Sequence, residues 1–214
     1  MTMRDSGAVA LAIACVAGAS FGQDDAFWNG GDGAWSTAAS WSLGVVPNNN
    51  GEDLFNASLL SLDEPYTVTL DIDVEIENFT LSGPGVELAL DINRVLTVNR
   101  DATIANGVVT GSGGKGTERI EVAGSLTLTD AALMGAGDIR ASNGVNFFSA
   151  SNVDICDTCV NSGGPASLVG SGGISLNQGG DFNNEEGGTF TIVADSNRSI
   201  SGDGTGSFNN GGTL

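Results

Sequence analysis

Not one histidine occurs in the 214 residues. Serine–histidine and cysteine–histidine nucleophilic pairs are thereby excluded, as is the imidazole that catalytic zinc sites usually employ. Basic side chains are scarce too: seven Lys plus Arg stand against 26 Asp plus Glu, a formal charge of −19. Recognition of nucleic acid or anionic lipid needs a basic footprint, so neither is an expected partner. No window carries an apolar stripe at helical period, which leaves an α-helical fold without support. What is plentiful is glycine, 33 residues, roughly twice the usual ~7% share. Hydrophobic content nevertheless holds at 40%, too high for a disordered chain. The sequence therefore describes a folded, turn-rich, acidic protein.

The opening residues read as an export signal. Arg4 precedes an apolar run from Gly7 to Ala19, and Ala19-Ser20-Phe21-Gly22 leads into Gln23-Asp24-Asp25. A short apolar core followed by small residues is the outline of a secretory signal peptide. Residues 1–22 are assigned to it, with cleavage after Gly22 or else after Ala19. The run is too short and too interrupted by glycine for a transmembrane helix, so no membrane-spanning segment is expected after cleavage. Cys15 after Ala12-Ile13-Ala14 loosely resembles a lipobox, but the apolar run continues past it. In the remaining 192 residues the only cysteines are Cys156 and Cys159, in Cys-Asp-Thr-Cys. In an oxidising compartment that spacing most simply gives a small local disulfide, with two free thiols as the alternative. A redox motif would need a following helix, and a zinc site two more ligands.

Strand signals dominate the rest. From Tyr66 to Ile76 apolar residues alternate with polar ones, the period of a strand with one buried face. Short apolar bursts follow, among them Phe79-Thr80-Leu81, Leu96-Thr97-Val98 and Leu126-Thr127-Leu128, separated by Gly, Asn, Asp and Ser. Such punctuation fits either a sandwich or jelly roll, or a right-handed parallel β-helix. Internal repetition favours the β-helix. Gly180-Asp181-Phe182-Asn183-Asn184 returns as Gly206-Ser207-Phe208-Asn209-Asn210, a period of 26 residues at Phe182 and Phe208. Periods of that order belong to solenoids, whose units bury apolar faces against their neighbours. Equivalent asparagines are expected to stack their amides from coil to coil.

Residues 23–65 differ in composition, holding all three tryptophans: Trp28 and Trp35 in Trp-Asn-Gly-Gly-Asp-Gly-Ala-Trp, then Trp41. Together with Pro47, Gly51-Glu52-Asp53 and the later Leu-x-Val strands, this resembles bacterial secreted β-helix proteins of the autotransporter-like or PEP-CTERM type, frequent in planctomycetes. The resemblance implies an exported β-helix at the cell surface and no catalytic residues. The tryptophans read as an aromatic cap on the core, with a carbohydrate-stacking platform as the functional rival. Residues 66–214 are the expected repeats; the chain stops inside a repeat unit, which reads as truncation.

Carboxylates offer the remaining chemistry. Asp71, Asp73, Glu75 and Glu77 are spaced by two and so line one strand face, close enough for calcium, with solvated side chains as the plainer reading. Arg94, Arg100, Arg119 and Arg140 are scattered along the chain. Gly111-Ser112-Gly113-Gly114-Lys115-Gly116-Thr117 lacks the phosphate-loop spacing and reads as a turn. The expectation is therefore a secreted or cell-surface structural or adhesive protein, not an enzyme, with no catalytic, cofactor or metal residues. Its partners would be surface polysaccharide, other cell-surface proteins, or further copies of itself. The alternative is a carbohydrate-binding or polysaccharide-degrading β-helix, lyase-like and calcium-assisted.

Overall fold

The computed structural model describes residues 22–112, 115–193 and 199–214. Apart from Gly22, the expected signal peptide lies outside the described residues, as do Gly113 and Gly114. The chain winds as a parallel β-solenoid of about seven turns. A partial coil comes first, with β1 (Gln23–Phe27) and β2 (Gly33–Ala34). Full coils begin with β3 (Leu54–Leu60), β4 (Tyr66–Leu70) and β5 (Val74–Ile76), then β6 (Asn78–Ser82), β7 (Val86–Leu90) and β8 (Val95–Val98). The third holds β9 (Ala102–Ala105), β10 (Val108–Gly111) and β11 (Arg119–Val122). In the next two, a long bent strand covers two sides: β12 (Leu126–Thr129) with β13 (Ala132–Ala141), and β14 (Val145–Ser149) with β15 (Val153–Ser162). The last two hold β16 (Ala166–Gly170), β17 (Ile174–Asn177) and β18 (Asp181–Asn184), then β19 (Phe190–Ile192), β20 (Ile200–Gly202) and β21 (Ser207–Asn210).

Stacking these coils makes three faces. The first runs β1-β3-β6-β9-β12-β14-β16-β19. The second and third are joined through the bent strands: β2, β4, β7, β10 and β17 pair along one half of β13 and β15, while β5, β8, β11 and β18 follow the other half. Every strand pairing is parallel, so each coil hands its register to the next. Period two then sorts side chains into inward and outward columns. One inward column of the first face runs Leu59, Leu81, Ile104, Leu128, Phe147 and Leu168, each fully buried. At about 1.5–3 kcal/mol for each such side chain, these columns supply the main driving force for coiling.

The apparent strand from Tyr66 to Ile76 is in fact two. The chain turns a corner at 71–73 between β4 and β5, with Asp71 and Ile72 half-buried and Asp73 exposed. Corners explain the punctuating residues: Asn106, Asp130 and Asp157 adopt positive φ of 55°, 47° and 46°, which Asn and Asp tolerate better than other side chains. Gly144, at φ 110°, has a second reason to be glycine, since a Cβ there would lie 1.8 Å from the Pro165 carbonyl oxygen of the next coil. Phe182 and Phe208 lie directly opposite in neighbouring coils and stack at 5.5 Å, and Thr189 bridges Thr213. Coil length is not constant, for Leu126 faces Val145 whereas Leu96 faces Ile120.

The three tryptophans close one end of the core. Trp28 and Trp41 meet edge-on at 5.1 Å, Trp35 and Trp41 at 4.7 Å, and Trp35 reaches Phe79 of the second full coil at 6.2 Å. Their indole N–H groups donate to the carbonyls of Gly31, Pro47 and Trp35, which satisfies the polar edge of rings buried to 2% exposure or less.

Candidate functional site

The third face carries the richest set of polar side chains. One outward column runs Arg119, Asp138, Cys159, Asp181 and Ser207 through successive coils. Its neighbour runs Glu75, Thr97, Glu121, Arg140, Asn161 and Asn183. Two adjoining hollows of about 260 and about 240 Å³ lie on these columns and share Glu121 and Arg140. Of the scattered arginines only Arg119 and Arg140 are brought together at these hollows, but each of the four stands against a carboxylate. Arg119 Nη1 stands 3.6 Å from Glu121, Arg140 Nη2 3.0 Å from Glu185, Arg94 Nη1 3.8 Å from Asp73 and Arg100 Nε 3.1 Å from Glu77. Lys115, from the turn after β10, reaches Asp181 at 2.6 Å, 66 residues away in sequence.

Beyond these pairs the face is knitted by amides. Asn183 Nδ2 donates to Asn161 Oδ1 at 2.9 Å, and Asn209 Nδ2 to Asn183 Oδ1 at 2.7 Å. The parallel column behind it joins Asn184 to Asn210 at 2.6 Å. These are the stacked asparagines that the repeat foretold, and they spend their hydrogen bonds within the protein.

The four alternating carboxylates do not share one face, because the corner at 71–73 separates them. Asp71 accepts from Ser36 N and Oγ, at 3.0 and 2.5 Å. Asp73 caps the next corner by accepting from Val95 N at 3.1 Å, and Glu75 accepts from Asn99. Glu77 alone is buried, and it is a hub: Asn49, Asn99 and Arg100 each donate to it at 3.1 Å. Sequence spacing made the four look equal, and nothing in it singled out Glu77. Equally silent was Glu118, fully buried at the foot of the turn, where it accepts from Ser112 N at 3.1 Å and from the Thr117 hydroxyl. Among the described residues, no three His, Cys, Asp or Glu side chains are grouped closely enough to hold a metal ion.

Cys156 and Cys159 are free thiols in the structure, so the expected disulfide is not formed there. The bend at Asp157 puts them on different sides of the corner: Cys156 pairs in register with Met134 and Asn177, and Cys159 with Asp138 and Asp181. Cys159 Sγ is engaged by Asn183 Nδ2 at 3.2 Å. Burial pushes both thiols up from their ordinary pKa, with Asp154 and Asp203 adding to it at Cys156 and Asp138 and Asp181 at Cys159, against smaller lowering by Asn161 and Lys115. A thiol so shifted is protonated at neutral pH and poorly nucleophilic. At Asp181 burial works upward, but the hydrogen bonds from Lys115 and Ser207 win and hold the carboxyl below its usual value. The buried tryptophans, finally, present no ring face to a ligand, which removes the stacking platform as a reading of that cluster.

Compared with protein-family models, curated proteins and solved structures, the chain gives no match. The fold and its side-chain geometry therefore carry the functional argument unaided, and what they define is a parallel β-solenoid with stitched polar faces.

Proposed function

We propose that this chain is an exported bacterial surface module, structural or adhesive in role and without catalytic activity. The supporting observation is how its outward polar groups are used. Among the described residues every Lys and Arg is ion-paired with a carboxylate, and the asparagine columns bond to their own kind in adjacent coils. Apart from Arg119 and Glu121, which pair within one strand, these groups join coils and hold a rod together; a catalytic centre instead aims them at a reacting atom. Surface polysaccharide and other surface proteins are the partners of such a rod. Calcium, where it binds, stabilises the acidic surface and takes no part in chemistry.

One observation favours the carbohydrate-active alternative: Arg119 and Arg140 line adjoining hollows with Glu121 and Asp138. A lyase needs a basic group free to take a proton from the sugar, and both guanidiniums here are committed to carboxylates. Incubation of the purified chain with acidic and neutral polysaccharides, with and without calcium, tests the proposal. The expected outcome is no new reducing ends and no unsaturated product. Release of either would overturn the non-catalytic reading. Fractionation of the producing cells tests export, the expected product lacking residues 1–22.

A further inference from the structure

The first face differs from the other two in a way that the acidic composition makes conspicuous. Its central outward column runs Thr80, Thr103 and Thr127 in directly paired positions, continued by Asn146 and Ser167. The column beside it runs Ser82, Ala105 and Thr129, then Phe148 and Val169. None of these positions is charged, in a chain carrying 33 charged residues and a formal charge of −19. On the second face, by contrast, the Thr67 and Thr110 hydroxyls both bond to Glu87, at 3.3 and 2.6 Å. Among the described residues no hydrogen bond occupies the hydroxyls of Thr80, Thr103 or Thr127.

We infer that this face binds a neutral, insoluble polysaccharide whose chain lies along the solenoid axis. The inference rests on the adhesive reading and names its partner and site. Coils rise by the spacing of adjacent strands, about 4.8 Å, so the three threonine hydroxyls form a rank at that repeat. A pyranose unit in an extended chain advances by a similar step, and it offers hydroxyls that both donate and accept. A hydroxyl desolvated in a contact must find a partner, and a neutral sugar supplies one without stripping water from any charge. The rank runs into an apolar step. Phe148 is 44% exposed and borders a hollow of about 350 Å³ with Thr129, Val169 and Gly170, while Phe27, 41% exposed, heads the threonine column itself through Ser58, so a ring stands ready for the C–H surface of a sugar toward each end of the rank. Asp130 at the rim is turned to structural use, its Oδ1 accepting from Ser151 N at 2.7 Å. A polyanion, or the side of a second copy of so acidic a chain, would meet long-range repulsion; a neutral solid would not. Each contact is weak, and affinity comes from repeating it along the rank.

The test is retention of the full chain on microcrystalline cellulose and on chitin at low and high sodium chloride. The chain is expected to be retained on at least one of them, about equally at both salt levels. Thr103→Glu, which sets a charge in the middle of the rank, and Phe148→Ala, which removes the ring, are each expected to weaken retention by about tenfold or more. Glu121→Gln on the third face is the control and leaves retention unchanged; circular dichroism confirms that each variant is folded. No retention of the native chain, equal retention of T103E and F148A, or loss of binding in high salt would each overturn the inference. So would shaping of ice crystals by the native chain but not by T103E without retention on either solid, an outcome that gives the face to another partner. If the native chain and T103E adhere equally to whole cells, the face assignment fails while the adhesive reading stands.

Discussion

Phe182→Ala should release the last coil while leaving the rest of the rod intact. The Phe182 ring is fully buried and touches three others, Phe147 at 5.3 Å, Phe190 at 5.6 Å and Phe208 at 5.5 Å. Truncating a buried Phe to Ala costs about 3–5 kcal/mol through lost transfer energy and the cavity left behind. In a globular core that cost would spread over one cooperative transition. Here the strands pair only with those of neighbouring coils, so the loss falls on the interface between β18 and β21 and hardly reaches β4 or β7. At about 1.4 kcal/mol for each factor of ten, amide protection in β18 and β21 should drop by about a hundredfold or more. Phe182→Leu, which keeps most of the volume, should cost less than Phe182→Ala. Hydrogen exchange read by mass spectrometry on peptides from each coil is the assay. Unchanged protection in β21 would refute the aromatic cluster as the tie that holds the coil. An equal drop in every coil would refute the nearest-neighbour reasoning.

Tyr66, whose hydroxyl donates to the Leu60 carbonyl at 2.7 Å, has its pKa pushed up from 10.0 to about 12 by burial. The stability this represents is fully present below pH 10 and lost as pH rises through 12; Tyr66→Phe should flatten that decline in alkaline melts while lowering neutral stability by about 1–3 kcal/mol through the orphaned carbonyl. Gly144→Ala should destabilise strongly, because its Cβ collides with backbone, and a melting temperature within a degree or two of native would contradict the corner geometry. Both thiols should react slowly with alkylating reagents at neutral pH, Cys156 the slower because it is the more buried, and accelerate only well into the alkaline range; a native mass two protons short after export would show instead that oxidation closes the pair. At the end opposite the tryptophans, β19, β20 and β21 are each paired on one edge only, and Ile192 and Val193 are 44% and 48% exposed. Self-association through those edges is expected in analytical ultracentrifugation and should fall in Ile192→Glu, whereas a monomer at high concentration would count against it.

Much of the fold was legible because a solenoid writes its core in one register. The alternation from Tyr66 to Ile76, and the Phe-Asn-Asn unit at 182 and 208, already carry the inward and outward columns and the stacked amides. Two features hid the rest. Corners do not interrupt the alternation, so the bend at 71–73 left a pattern indistinguishable from one long strand, and the four carboxylates looked coplanar. Coils of unequal length also conceal the repeat, since turn insertions such as that before β11 shift the spacing without shifting the pairing. The partners of Arg140 and Lys115 were illegible for a related reason: they lie two and three coils farther along the rod, and their sequence distance depends on every insertion between, whereas Glu121, the partner of Arg119, stands two places along in the same strand. Burial of Glu77 and Glu118 depends on which loop folds over them, which local propensity does not encode.

The sorting of charge among the faces constrains how the rod behaves as a whole. An acidic chain repels itself, and the third face and its corners offset part of that repulsion locally by setting guanidinium and ammonium groups against carboxylates, within a strand at Arg119 and between coils elsewhere. Exposed pairs of this kind are individually worth about 0–1 kcal/mol and weaken as salt rises. Asp181 is the exception in kind: it is half-buried, ties Lys115 across several coils, and accepts from Ser207 N and Oγ at 3.0 and 2.7 Å. Its depressed pKa means that its contribution is present above the ordinary carboxylate range and lost as pH falls through the folded value. Added salt therefore acts in two opposed directions, relieving the net repulsion of a −19 chain while screening its stitching pairs. Repulsion grows with the whole charge, whereas the pairs are few and the amide columns are indifferent to ionic strength, so the balance favours stabilisation. Because the threonine column and the one beside it hold no charge, salt leaves that strip of the first face unaltered while it strengthens the rod that presents it.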